Sequence, residues 1–142
     1  MHARKETMDN LAVVRRFYDV MCNARRNDLA ADLFTDDHKL HDPQVKAADG
    51  PAGMAAVVST YQDGVDGIWD IEEIFGAGDR VVVRWTGTGK HTGMMNGIAP
   101  TGNDLFVEAI SIHRMRDGKI AETWEVWDTL GFLQQMGAVP AA

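Results

Sequence analysis

His91-Thr92-Gly93-Met94-Met95-Asn96-Gly97-Ile98-Ala99-Pro100-Thr101-Gly102, followed about two strands' length later by Trp124-Glu125-Val126-Trp127-Asp128, is the stretch whose reading decides the fold. The first run is a loop, apolar and punctuated by three glycines and a proline. The second alternates in a strand-like way along Lys119 to Asp128. Ala121, Thr123, Glu125 and Trp127 share one face, and Ile120, Glu122, Trp124, Val126 and Asp128 share the other. A methionine-bearing loop and an aromatic strand carrying two carboxylates are parts of a small-molecule pocket.

Outward from these two runs the chain divides into helices first and strands second. Met8, Leu11, Val14, Phe17 or Tyr18, Met21 and Cys22 recur at three- and four-residue spacing, which predicts a helix ending near Asn23 to Asn27. Asp28 to Phe34 reads as a short second helix capped by Asn27 or Asp28, with Leu29, Leu33 and Phe34 turned inward. Thr35-Asp36-Asp37-His38 reads as a polar connection into Leu40-His41-Asp42-Pro43, an edge strand or a loop lying on the sheet. Asp49-Gly50-Pro51 opens a third helix with Met54, Val57, Val58 and Tyr61 as its buried stripe. Ile68–Phe75, Arg80–Thr86, Leu105–His113 and Ile120–Asp128 are β-rich runs, with Gly78-Asp79 and Asp117-Gly118 as turns, and Leu130–Met136 is a closing helix ended by Gly137. Helices followed by an antiparallel meander is the α+β pattern, in which helices pack on one face of a curved sheet and leave a cavity on its concave side.

The 142 residues make a single domain spanning 1–142, and 45% hydrophobic with 25% charged residues is an ordinary globular balance. A net charge of −7 argues against nucleic acid and anionic membrane as partners, because both need a basic face to displace counterions. Arg15-Arg16 and Arg25-Arg26 read as the solvated face of the first helix. The single cysteine, Cys22, forms no internal disulfide and reads as packing. No run has signal-peptide or membrane-spanning length, which places the expected location in the cytoplasm. Five histidines without His-x-His or His-x-x-x-His spacing give no metal site.

The loop His91-x-Gly93-x-Met95-x-Gly97-Ile98-x-Pro100-Thr101-Gly102, the turn Asp117-Gly118-Lys119-Ile120, and the closing Glu125-Val126-Trp127-Asp128 with Leu130-Gly131 and Gln134-Gln135-Met136-Gly137 together resemble the SnoaL-like polyketide cyclases of the nuclear transport factor 2-like superfamily. The resemblance runs from the first helix to Gly137. It implies a cone-shaped α+β barrel: three N-terminal helices on a curved, mostly antiparallel sheet, with a short C-terminal helix. It also implies assembly as a homodimer or homotetramer through the outer sheet face, and a cofactor-free enzyme. In the family's ester cyclases a carboxylate on the last long strand is the general acid/base of an aldol closure. Aligned through the Asp117-Gly118-Lys119 turn it falls on Glu125, while the family's other polar positions fall on Thr123, Ala109 and Ser111.

With that correspondence Glu125 looks into the cavity beside Trp127, where desolvation raises its pKa toward neutrality. The competing reading pairs Glu125 with Arg84 or Arg114 at the surface. His41 stands where superfamily members often place a pocket residue, and Asp128 is either a second carboxylate at the pocket mouth or the cap of the last helix. His38 reads as exposed, His91 as a residue that holds its own loop, and His113 as a residue near a strand end. Trp85, Trp127, Tyr18, Tyr61, Met94, Met95 and Ser111 are the candidate walls for a hydrophobic small-molecule ligand, with Met94-Met95 as a mobile rim. The expected function is acid/base chemistry on a polyketide-like or other carbonyl-bearing molecule, of aldol-cyclase type. The alternatives are a hydroxylase, dehydratase, isomerase or epoxide hydrolase on the same fold, or a non-catalytic binding module.

Overall fold

The computed structural model describes residues 2–141. Helix α1 (His2–Arg16) continues into a wider π-helical segment, Phe17–Asn23. The wider turn changes the angular step between residues, so the neighbours Phe17 and Tyr18 are both buried, as are Met21 and Cys22. The stripe begins later than its spacing predicts, since Met8 is 60% exposed. A 3₁₀ turn, Asn27–Leu29, leads into the single turn α2 (Ala30–Leu33) and directly into strand β1 (Phe34–His41).

Strand β1 corrects the expectation of a polar connection at 35–38. Its backbone pairs in parallel with β5 (Lys119–Trp127), with a register shift between Phe34 and Lys39, and Phe34, Thr35 and His38 are buried. Ladder pairing with a strand some 80 residues away overrides a local composition rich in Asp and Thr. Helix α3 (Pro51–Val65) starts with Pro51 in its first turn and buries Met54 and Val58. Strands β2 (Ile68–Ala77), β3 (Arg80–Lys90) and β4 (Asp104–Arg116) then form an antiparallel meander with β5, and α4 (Thr129–Gln135) closes the chain. The sheet order is β1-β5-β4-β3-β2.

The burial of β4 alternates strictly along its length, so one face is core and the other is surface. The inner face joins Val81, Val83, Trp85, Ala109, Met115 and Ile120 to α1, its π turn, α2 and α3. A smaller cluster at one end of the sheet, Val65, Met95, Leu105, Val107, Phe132 and Met136, ties the 91–103 loop and α4 to the C-terminus of α3. Gly93 is the point of contact: its N–H donates to the Gly64 carbonyl at 2.9 Å, and a Cβ there would stand 2.3 Å from the Asp63 carbonyl oxygen. Among the described residues no helix is long and apolar enough to cross a membrane.

Candidate active site

The pleat of the inner face sets out the site. Across β4 and β5 the directly paired residues are Ala109 with Trp127, Ser111 with Glu125, and His113 with Thr123. These pairs point to the same side as Trp85 of β3, which is paired with Ala109. Helices α1 and α3 cover this surface and leave a cavity between Phe17, Tyr18, Met54, Tyr61, Trp85 and Trp127, with Glu125 in its wall. The enclosed part holds about 70 Å³ and is largely apolar, and its exposed members Ile68 and Thr88 mark the open side.

Glu125 is the one carboxyl group in this wall. Trp85 Nε1–H donates to Ser111 Oγ at 2.9 Å, and the Ser111 hydroxyl donates to Glu125 Oε1 at 3.1 Å. Asp42, the residue that follows β1, approaches Glu125 from the neighbouring strand and is fixed by Trp127 Nε1–H, which donates to Asp42 Oδ2 at 3.0 Å. Burial pushes the Glu125 carboxyl up to about 8, and the hydrogen bond and the charge of Asp42 push the same way against the donation from Ser111. At neutral pH the Glu125 carboxyl therefore keeps its proton. Arg84 and Arg114 do not compete for it, because they bind Glu73 and Glu122 on the outer face.

Deeper in, a file of polar groups is packed into the core. Tyr18 Oη and His113 Nε2 are 2.8 Å apart, His113 Nδ1 and Thr123 Oγ1 are 2.9 Å apart, and Thr123 Oγ1 and His38 Nε2 are 2.9 Å apart. All four side chains are essentially inaccessible. Burial depresses His113 to about 3 and His38 to about 4, so both rings are neutral. Burial and the nearby Glu125 carboxyl hold the Tyr18 phenol well above its ordinary range.

Of the residues singled out in the sequence, Glu125, Tyr18, Tyr61, Trp85 and Trp127 line the cavity, and Ser111 lies behind Glu125 as its donor. His41 is not brought to them. It is exposed on the outer side, where its Nε2 meets Glu122 Oε2 at 2.6 Å and its ring stacks on Trp124, because alternation along β1 turns Asp42 rather than His41 inward. Asp128 caps α4, accepting the Gly131 N–H at 2.9 Å. The Met94-Met95 pair is split, with Met94 64% exposed and Met95 buried in the smaller core. His38, expected to be exposed, is interior, as is His113, whose place near a strand end left surface and cavity both open, while His91 holds its loop through Thr101 Oγ1 at 3.0 Å.

Asp42 is the site residue that the sequence reading passed over. Its one signal was position, next to His41 and before a proline that holds Asp42 extended. Met54 and Phe132 are further wall residues whose role only the packing reveals. Among the described residues no three His, Cys, Asp or Glu side chains are grouped to hold a metal ion.

Three solved structures share this architecture. A protein from Jannaschia sp. CCS1, proposed to be a SnoaL-like polyketide cyclase, is 23% identical, with a TM-score of 0.84 over 94% of this chain and 95% of its own. TsrD from Streptomyces laurentii is 24% identical, with a TM-score of 0.82 over 93% and 97%. An LEH-like epoxide hydrolase from M. tuberculosis is 16% identical, with a TM-score of 0.72 over 94% and 92%. At these identities the likeness is one of fold. No curated protein matches the chain in sequence. The family model described as SnoaL-like polyketide cyclase matches residues 12–136, from within α1 to the end of α4, and so the chain belongs to the SnoaL-like polyketide cyclase family.

Proposed function

We propose that this protein is an acid/base enzyme for an apolar, carbonyl-bearing small molecule, with Glu125 as the proton-transfer group and Asp42 as its partner. The observation that carries the reading is the Glu125 carboxyl in an apolar cavity wall with a second carboxyl against it. Such a pair can give a proton to one atom of a substrate and take one from another. In an aldol-type closure, the proton removed next to one carbonyl passes to ionised Glu125. The resulting enolate carbon attacks a second carbonyl, and the oxygen that gathers charge receives the proton held at Glu125. Phe17, Tyr61, Trp85 and Trp127 supply flat apolar area against which a ring system packs.

Epoxide or water chemistry is the second reading, favoured by one feature. An outer cleft lined by Leu40, His41, Pro43, Lys46 and Trp124 reaches the same Asp42 and Glu125 from the opposite side, where water could meet one carboxyl while the other protonates an oxygen.

The test uses β-keto esters carrying a second carbonyl, with styrene oxide as the probe for the alternative. The reading expects ring closure of the keto esters, a loss of about 10²–10⁴-fold in kcat in Glu125→Gln, and KM changed by no more than a few fold. Undiminished turnover in Glu125→Gln overturns it, and opening of styrene oxide alone selects the second reading.

A further inference from the structure

The buried file Tyr18–His113–Thr123–His38 is not required by the carboxyl pair, and its hydrogen count is constrained. Thr123 Oγ1 stands 2.9 Å from a nitrogen of each imidazole and carries one hydrogen. It can donate to only one ring, and a continuous file requires it to receive from the other. If it donates to His113 Nδ1, His113 carries its hydrogen on Nε2 and gives it to Tyr18, His38 also carries its hydrogen on Nε2, and the Tyr18 hydroxyl hydrogen is free to point at the cavity. If it donates to His38 Nε2, both rings carry hydrogen on Nδ1 and Tyr18 donates back to His113. The file therefore has two polarities, and each assigns the same tautomer to both histidines.

Its two ends lie in different places. Tyr18 lines the cavity, near Ser111 and Glu125. His38 lies on β1 among the charges of Asp37, His41, Asp49 and Glu122. The His38 ring is 1% exposed, and among the described residues only its Nε2 has a partner, so Nδ1 is the outer end of the file. The file thus crosses from the covered cavity to the acidic surface beside β1.

We propose that Tyr18 is a second proton donor of this site and that His113, Thr123 and His38 are positioning residues that set the direction of its hydroxyl and refill it from the surface; this rests on the acid/base reading above. A proton leaving Tyr18 Oη for an oxygen in the cavity is replaced by the hydrogen of His113 Nε2. His113 Nδ1 takes the hydrogen of Thr123, Thr123 takes that of His38 Nε2, and His38 Nδ1 takes one from water. Each group loses one hydrogen and gains one, so one proton enters at the surface, one is delivered inside, and no charge remains in the core. Such a path lets a site closed over an apolar ligand recover its proton without readmitting water through its mouth.

The test is long-range ¹H–¹⁵N correlation of the histidine rings in the full-length ¹⁵N-labelled protein, followed from pH 6 to pH 9.5 across the ionisation of Glu125. The groups facing the file are Glu125 and Cys22 at the Tyr18 end and Asp37, His41, Asp49 and Glu122 at the His38 end. The expected result is one shared tautomer for His38 and His113 at every pH, with any change occurring in both together. Thr123→Ser keeps the two rings matched, and Thr123→Val removes the match. Opposite tautomers in the wild-type protein show Thr123 either receiving from both rings or facing two bare nitrogens, which breaks the file and overturns the proposal. That result leaves the Glu125 reading untouched, whereas full turnover in Glu125→Gln with matched tautomers removes the catalytic role and leaves the file.

Discussion

Glu125 and its neighbours show how a few side chains give a carboxyl an unusual property. Burial and the neighbouring Asp42, itself fixed by Trp127, outweigh the donation from Ser111, and the net result is a proton kept at neutral pH. The two interior histidines carry a stability consequence of the opposite origin. In the unfolded chain they bind protons near pH 6.5, but in the folded protein only near 4 for His38 and near 3 for His113. Between those values the unfolded state holds more protons, so stability is intact above about pH 6.5 and falls as the pH drops toward 3. Urea midpoints at pH 7 and pH 4 should therefore separate widely for the wild type and less widely for His113→Gln, and equal separations would place His113 at the surface. The alternation along Lys119–Asp128 put Glu125 and Trp127 on one face, and the family resemblance turned that face toward the cavity. Asp42, His38 and His113 were not legible, because their surroundings come from partners far along the chain: Thr123 is 85 residues from His38, and His113 is 95 from Tyr18.

At the scale of elements, the strands β2 to β5 and helix α3 follow from period and punctuation, since each has its own alternation or stripe and a glycine or proline at its boundary. Strand β1 does not, because its identity depends on the parallel partner β5. The π-helical segment was also hidden: periodicity offered Phe17 or Tyr18, and only the widened turn buries both. The 91–103 loop, read as a pocket rim, is anchored to α3 by backbone contact at Gly93 and by Met95 in the smaller core. Gly93→Ala should push the loop off the Asp63 carbonyl and cost about 2 kcal/mol, seen as a fall of several degrees in Tm. Met94→Ala, at an exposed position, should leave Tm within a degree or two. Equal effects from the two would mean that the loop is not anchored there.

The whole molecule presents two contrasting sheet faces. The inner face is closed by helices around the site, while the outer face carries Phe106, Ile110, Ile112 and Val126, each more than a third exposed, on two adjacent strands. A contiguous apolar face of this kind predicts self-association through the sheet, as a dimer or tetramer. Sedimentation should give a multiple of the 15.6 kDa chain for the wild type and a monomer for Ile110→Arg, and a monomeric wild type would contradict it. The same division places the Glu125 and Asp42 carboxyls where helices, β1 and β5 all meet, so their properties report on the whole architecture. The most direct measurement of the account is the titration of the Glu125 side-chain carboxyl by ¹³C NMR in the intact protein. The account predicts a midpoint near pH 8 that falls when Asp42 is changed to Asn, and a midpoint near 4.5 that ignores Asp42→Asn would contradict it.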